Sequence, residues 1–205
     1  MKIKLNEQEK FWSGKFGDNY INRNKSKKLK KNTDHFFLKI FKDKKIKLLN
    51  IIELGANIGN NLESLGKIFK NTRLSAVEIN NKACEILKKT KPHINVVNSD
   101  IETLNIDTKF DLVLVKGVLI HINPKQLNKI YKKIYNLSKK YILIAEYYNP
   151  NPVKLTYRGK TNKLFKRDFA GEMIKKHKLK LLDYGFSYRF DKFPQDDITW
   201  FLLKK

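Results

Sequence analysis

The sequence predicts a doubly wound α/β fold, a mostly parallel sheet with an antiparallel edge, preceded by a helical segment. Three observations predict it. Five strand–helix alternations run between residues 48 and 146. A glycine-bearing turn joins the first strand to its helix. Two long strand-like stretches close the chain with too few residues between them for a crossover helix, so they pair as a hairpin at the sheet's edge.

Each element follows from its residues. Phe36, Phe37, Ile40 and Phe41 fall on one face at helical spacing, with Asn32 or Thr33 as N-cap. Residues 48–54 are a short apolar run, as a strand buried on both faces requires. Ile58, Leu62, Leu65, Ile68 and Phe69 continue at helical spacing. Residues 74–79 read as the second strand, 80–89 as a helix, 94–98 as the third strand and 110–116 as the strongly apolar fourth. Asn123 and Pro124 supply a cap and a first-turn proline to a helix reaching about Ser138. Residues 141–146 make the fifth strand, and 179–188 and 197–203 the closing pair, joined by a turn containing Pro194. No repeat or Gly/Ser-rich linker interrupts the chain. One domain is expected, with residues 1–45 as a helical lid and 46–205 as the core.

The chain has 205 residues, 44 of them basic against 20 acidic, for a formal net charge of +24. Such a charge suits a polyanionic partner. Yet only five of the 44 are arginines, the residue suited to bidentate contacts with bases and phosphates. Lys, Asn and Ile richness together suggests coding bias, and the run of lysines between 25 and 31 reads as a solvated face. Cys84 is the single cysteine, which excludes an intramolecular disulfide, and no Cys/His cluster has metal-ligand spacing. No run of eighteen apolar residues occurs, and residues 1–10 lack the pattern of a secretory leader. A cytoplasmic protein without a metal is the expectation.

The chemistry concentrates where the strands end. Glu53-Leu-Gly-Ala-Asn-Ile-Gly59 lies at the junction of the first strand and its helix. Gly55 and Gly59 let the backbone turn tightly and approach a ligand at the carboxyl edge of the sheet. Glu78 ends the second strand nineteen residues after Gly59, a spacing at which a carboxylate accepts ribose hydroxyls. Ile79 adjoins it. After the third strand, Asp100 is placed to accept an adenine amine while Ile101 packs on the ring. Lys116, Gly117 and His121 follow the fourth strand. A dinucleotide fingerprint is absent, because Asn57 stands where a middle glycine belongs and no third glycine follows. Tyr135 and Lys139 have the spacing of a dehydrogenase pair but sit on an amphipathic helix facing the core, which reads as coincidence.

Together these residues resemble the class I S-adenosylmethionine-dependent methyltransferases. Further strings resemble one group within them, the methylases associated with pseudaminic acid biosynthesis. They are EQEKFWSGKFGDNYINRN from Glu7, KGVLIHINP from Lys116, YILIAEYYNP from Tyr141, YRGKTNKLFKRDFAGEM from Tyr157 and FPQDDITWFLL from Phe193. The resemblance spans nearly the whole chain. It implies a Rossmann-like seven-stranded sheet of order 3-2-1-4-5-7-6 with the last strand antiparallel, and S-adenosyl-L-methionine held around Glu53, Gly55, Gly59, Glu78 and Asp100.

The rest of the site follows as expectation. Trp12 and Tyr20 offer aromatic faces to a sulfonium, or else pack the N-terminal helix on the sheet. Arg23 reaches the methionine carboxylate, or ends a helix. With Asn57, Ile79, Ile101 and Lys116, these complete the expected cofactor set. His121 and Tyr147 are the candidate catalytic contacts. Tyr148, Tyr157, Arg158, Lys166 and Arg167 form a basic and aromatic stretch suited to an anionic acceptor. The expected function is methylation of a small anionic metabolite, such as a nonulosonic sugar acid or nucleotide sugar of surface-glycan biosynthesis. The alternatives are an RNA, DNA or protein methyltransferase and a non-catalytic cofactor-binding accessory protein.

Overall fold

The strand edge that should carry the site is assembled from seven strands. The computed structural model describes residues 5–205; the start of the polar stretch 1–10 lies outside the described residues. Strands β1 (Asn50–Leu54), β2 (Arg73–Glu78), β3 (Ile94–Asn98), β4 (Phe110–Lys116) and β5 (Ser138–Glu146) are mutually parallel. A two-stranded unit, β6 (Val153–Tyr157) with β7 (Lys160–Lys166), stands apart from them. The closing pair is β8 (Lys180–Ser187) and β9 (Ile198–Lys204), with β9 antiparallel to β5. The main sheet has the order β3-β2-β1-β4-β5-β9-β8. This is the expected topology, with the expected antiparallel last strand.

Alternation along the strands builds two cores. Ile51, Leu74, Ala76, Leu112, Leu114 and Leu143 face one side, packed under α3 (Lys27–Phe41), α4 (Asn60–Ile68) and α5 (Asn81–Thr90). Ile52, Leu54, Val77, Val113, Val115 and Ile144 face the other, under α6 (Leu127–Leu137) and α7 (Phe169–His177). Each such buried aliphatic side chain contributes about 1.5–3 kcal/mol. The sheet edge is thus a rigid platform.

Three elements depart from expectation. Helix α3 starts at Lys27, because Ser26 has extended backbone and accepts the Leu29 N–H at 3.4 Å; Asn32 and Thr33 are buried inside the helix. Asn123 and Pro124 open a short 3-10 turn, and α6 proper begins at Leu127. The β6–β7 hairpin was unforeseen. Its two-residue loop, Arg158-Gly159, has φ of 48° and 74°, the positive values of a type I′ turn. Ahead of the core, α1 (Glu7–Ser13) carries a capping box on Asn6, and α2 (Lys15–Tyr20) follows it.

Candidate active site

The glycine turn takes the geometry its residues demand. Gly55 and Gly59 have φ of 79° and 75°, and Asn57 joins them at 49°. A Cβ at Gly55 would lie 2.5 Å from Val118 Cγ2, and one at Gly59 2.5 Å from Leu87 Cδ1. Glycine is therefore required twice over, by conformation and by space.

Buried carboxylates fix the strand ends. Glu78 Oε2 accepts the Asn57 N–H at 2.7 Å and Oε1 the Asn80 N–H at 2.8 Å. It splints the glycine turn to the start of α5, and each oxygen retains a lone pair for a ribose hydroxyl. Glu53 is fully buried at the end of β1. Its Oε1 accepts from Asn61 Nδ2 at 2.5 Å while Oε2 has no partner. Glu146, ending β5, caps the turn after β4: Oε1 accepts the N–H groups of Val118 and Leu119, both at 2.9 Å, and Oε2 has no partner. Burial pushes both Glu53 and Glu146 up to about 8. It pushes Lys116, ending β4 between them, below the usual ammonium range.

A cavity of about 390 Å³ lies over this edge. Its floor is residues 55–58, Glu78, Ile79, Asp100, Ile101, Lys116, Gly117, Glu146 and Tyr147; its roof includes Trp12, Tyr20, Arg23 and Tyr157. The roof is tied down from several directions. Asn80 Nδ2 donates to the Trp12 carbonyl at 3.2 Å and to Asp18 at 2.8 Å, Gln8 donates to the Asn162 carbonyl at 3.0 Å, and Glu7 pairs with Lys163. Trp12 packs edge-on to Tyr20 at 5.2 Å and against His121 at 4.6 Å. Arg23 pairs with Asp196 and stands 5.6 Å over the Tyr20 ring.

Most of the expected cofactor set converges here, with three adjustments. Gly59 lies outside the cavity lining, turned toward Leu87. Glu53 lies beneath the cavity lining, and Asp100 spends its carboxylate on Thr103, whose N–H it accepts at 2.8 Å. His121 lines the cavity, but its Nδ1 is 2.5 Å from the Lys163 carbonyl. Burial lowers its pKa to about 4. It is neutral at pH 7 and a weak base. Tyr147 lines the cavity with its phenol pushed up by burial.

The expected acceptor set does not assemble. Tyr157 alone reaches the cavity. Tyr148 points outward against Phe201, since the residue after Tyr147 in extended chain faces the opposite side. Arg158 is exposed in the hairpin loop. Lys166 Nζ lies 5.2 Å over the Tyr147 ring, and Arg167 Nε donates to Glu172 Oε1 at 2.6 Å near the start of α7. None of the three basic residues lines the cavity: Arg158 sits in the hairpin loop, Lys166 ends β7, and Arg167 follows it ahead of α7. Glu146 was not anticipated: in sequence it is one more residue of the strand Tyr-Ile-Leu-Ile-Ala-Glu. The signal available was a carboxylate ending an apolar strand, the same signal that marks Glu78. Among the described residues no cluster of His, Cys, Asp or Glu could hold a metal, and no helix is long and apolar enough to cross a membrane.

Residues 51–140 match the family model of a methyltransferase domain. An 88-residue stretch is 29% identical to malonyl-[acyl-carrier protein] O-methyltransferase of Priestia megaterium, covering 41% of this chain and 32% of that enzyme. The match thus spans about a third of the curated relative's length. The fold is similar to the 1,6-didemethyltoxoflavin-N1-methyltransferase of Burkholderia thailandensis, solved with 1,6-didemethyltoxoflavin and S-adenosylhomocysteine. The TM-score is 0.71 at 11% identity over 100% of this chain and 93% of that one. It is also similar to the magnesium protoporphyrin IX methyltransferase of Synechocystis with bound S-adenosylmethionine, at TM-score 0.70 and 11% identity over 100% of both chains. Family match and fold agree with the geometry of the strand edge: residues 51–140 match a methyltransferase domain, and the chain has the fold of these two methyltransferases.

Proposed function

We propose that this chain is an S-adenosylmethionine-dependent methyltransferase whose acceptor is a small anionic metabolite, a sugar acid or nucleotide sugar of surface-glycan biosynthesis. The residues 1–45 act as its lid in a single domain. One observation carries the small-acceptor reading. The cavity is about 390 Å³ and roofed by α1, α2 and the hairpin, a volume at the low end for small-molecule sites. The strand edge suits the cofactor. Glu78 retains lone pairs for ribose, Ile79 and Ile101 offer an apolar slot for the adenine, and the glycine turn leaves backbone room. When bound, the cofactor supplies an activated methyl group; the chain orients donor and acceptor and excludes water.

Lys116 supports the acceptor's negative charge. Of the cations lining the cavity, Arg23 pairs with Asp196 and Arg189 with Asp197. Lys116 has no ion-pair partner within 4.0 Å among the described residues. Anion recognition therefore passes from Arg158 and Arg167 to Lys116. The test is transfer of a labelled methyl group from S-adenosylmethionine to a panel of nonulosonic acids and their nucleotide-activated forms, run beside RNA and DNA across a salt series. Labelled sugar acids with little salt dependence support the reading. Label in RNA or DNA that falls steeply with salt overturns the acceptor class. Cofactor binding with no transfer to any small-molecule extract favours an accessory protein.

A further inference from the structure

The closing strands carry a row of aromatic side chains that nothing in the chain buries. Register sets Tyr184 of β8 opposite Phe201 of β9, and Phe201 opposite Ile144 of β5, so the three share one face of the sheet. Helices α6 and α7 pack on that face at β4 and β5. At β8 the side chains stay in water: Tyr184 is 64% exposed and Phe186 49%. The row continues at both ends. Tyr148, after β5, stands 6.0 Å from Phe201, which stacks on Tyr184 at 6.3 Å. Tyr188 lies 6.1 Å beyond Phe186, and Phe190 5.2 Å beyond Tyr188. Phe190 is 78% exposed. Outward aromatics at 184, 186, 188 and 190 keep the period of a strand. Such a continuous band differs from the single apolar residues normally scattered over a surface.

The charge along this row runs against that of the chain. Residues 181–200 hold Asp183, Asp191, Asp196 and Asp197 against Arg189 and Lys192, in a chain with 44 basic and 20 acidic residues. Ion pairs engage most of them: Asp183 with Lys44, Asp196 with Arg23 and Asp197 with Arg189. An anionic membrane or a nucleic-acid strand gains little attraction from such a stretch. Two copies of a strongly basic chain, by contrast, repel each other least where they meet through it. The size of the row suits the same partner. Counted with Leu181, its exposed side chains present roughly 600 Å², at about 150–250 Å² for each whole aromatic. That is most of the ~800 Å² that each partner gives to a stable interface.

We infer that the aromatic row is the contact surface of a homodimer, in which a second copy of the chain lays the same row against it across a two-fold axis. Such a contact uses one patch twice, so rings meet rings. The contact is face to face and not strand to strand: β8 is the outer strand of the sheet, but a bulge between Leu181 and Asp183 interrupts its open backbone edge. The dimer reaches the cavity from behind. Arg189, between Tyr188 and Phe190, lines the cavity, as do Pro194, Gln195 and Asp196 further along the β8–β9 connection. Asp196 in turn pairs with Arg23 of the roof. A partner seated on Tyr188 and Phe190 therefore braces the part of the cavity wall that this connection supplies.

Sedimentation of the full chain over a concentration series tests this. Twice the chain mass is expected at micromolar concentrations, and added salt should not dissociate it, since the contact is apolar. Tyr184→Glu combined with Phe190→Glu changes two exposed positions and should raise the dissociation constant at least about tenfold while the thermal midpoint holds. Leu49→Glu, at an exposed position just before β1, should leave the dimer intact. Hydrogen exchange needs no variant: amides of residues 184–190 should gain protection as the unmodified protein is concentrated. A monomer at every concentration overturns the inference. If that monomer binds vesicles of phosphatidylcholine with phosphatidylserine, or a single-stranded oligonucleotide, and the double variant does not, the face belongs to that partner instead. A dimer undiminished in the folded double variant puts the interface elsewhere and equally overturns it. Should the double variant misfold, exchange decides alone: protection at 184–190 that is independent of concentration excludes this dimer.

Discussion

The two walls of the cavity are built by opposite means. The strand-edge wall is backbone held by short-range devices: positive-φ glycines, and a Glu78 carboxylate joining Asn57 to Asn80. The roof is side chain held across long separations, with Trp12 on His121 and Gln8 on Asn162. A wall of the first kind is fixed with the core. One of the second kind rests on a few side-chain contacts between segments far apart in the chain, with Gln8 and His121 buried among them. The edge is suited to holding a cofactor in one geometry, and the roof to admitting and enclosing an acceptor. Damage to the edge should therefore cost stability and binding together, while damage to the roof's outer parts should cost neither.

The largest effect is expected at the turn itself. Gly55→Val places a β-branched residue at φ 79° with its Cβ 2.5 Å from Val118. Left-handed strain and overpacking together cost roughly 2–5 kcal/mol. Urea titration should show that loss, and S-adenosylhomocysteine binding should vanish. A stable, binding-competent Gly55→Val protein would mean the edge is as pliable as the roof.

His121 joins the walls, and its pH dependence reports on that junction. Its pKa falls from an ordinary 6.5 to about 4 in the folded protein. Between those values the unfolded chain binds more protons. The contribution is complete above pH 6.5 and is lost as pH falls through 4, amounting to at most about 3 kcal/mol. Glu53 and Glu146 have the opposite sign: raised to about 8, they contribute below pH 4.5 and lose that contribution as pH rises through 8. In His121→Phe the acid-side fall should flatten while the alkaline fall persists. Denaturation midpoints from pH 4 to pH 9 decide this. An unchanged acid limb would place the imidazole in water rather than between the walls.

Glu78→Ala tests the edge more gently. It removes the acceptor of two backbone N–H groups, at roughly 1–3 kcal/mol each if they stay buried and unpaired. Cofactor affinity and stability should fall together, whereas Glu78→Gln, which keeps one acceptor, should recover part of both. Full affinity in Glu78→Ala would remove the ribose assignment.

What sequence could disclose divides along the same line. The glycine turn, Glu78 and the strand order are local or periodic signals. A φ above zero favours Gly or Asn, as at residues 55, 57 and 59, and a buried strand reads as an apolar run. The hairpin had such a signal too, in the alternation Val153-Lys-Leu-Thr-Tyr157, but the stretch reads first by its basic and aromatic composition and not by its period. The directions of Arg158 and Arg167 had none, because they depend on where that hairpin docks. Glu146 was hidden for a related reason. Its partners, the N–H groups of Val118 and Leu119, lie more than twenty residues away, and only parallel pairing of β4 with β5 brings them together.

The smallest effects are expected at the residues that sequence placed at the acceptor. Arg158 occupies the first position of a turn that favours Asn-Gly, with its guanidinium 5.8 Å over Tyr157 and otherwise in solvent. Arg158→Asn should leave S-adenosylhomocysteine affinity within about twofold, under ~0.5 kcal/mol, and should stabilise the loop if anything. Arg167 differs. Its bond to Glu172, which also accepts the Tyr131 hydroxyl at 2.7 Å, belongs to the packing of α7 on α6. Arg167→Ala should lower stability by about 1 kcal/mol and leave binding alone. Lys116→Met, by contrast, should lose acidic acceptors while keeping a folded sheet. If Arg158→Asn abolishes methylation of a sugar acid that Lys116→Met still accepts, the acceptor is held outside the cavity by the hairpin. The roof would then be a docking face and not an enclosure.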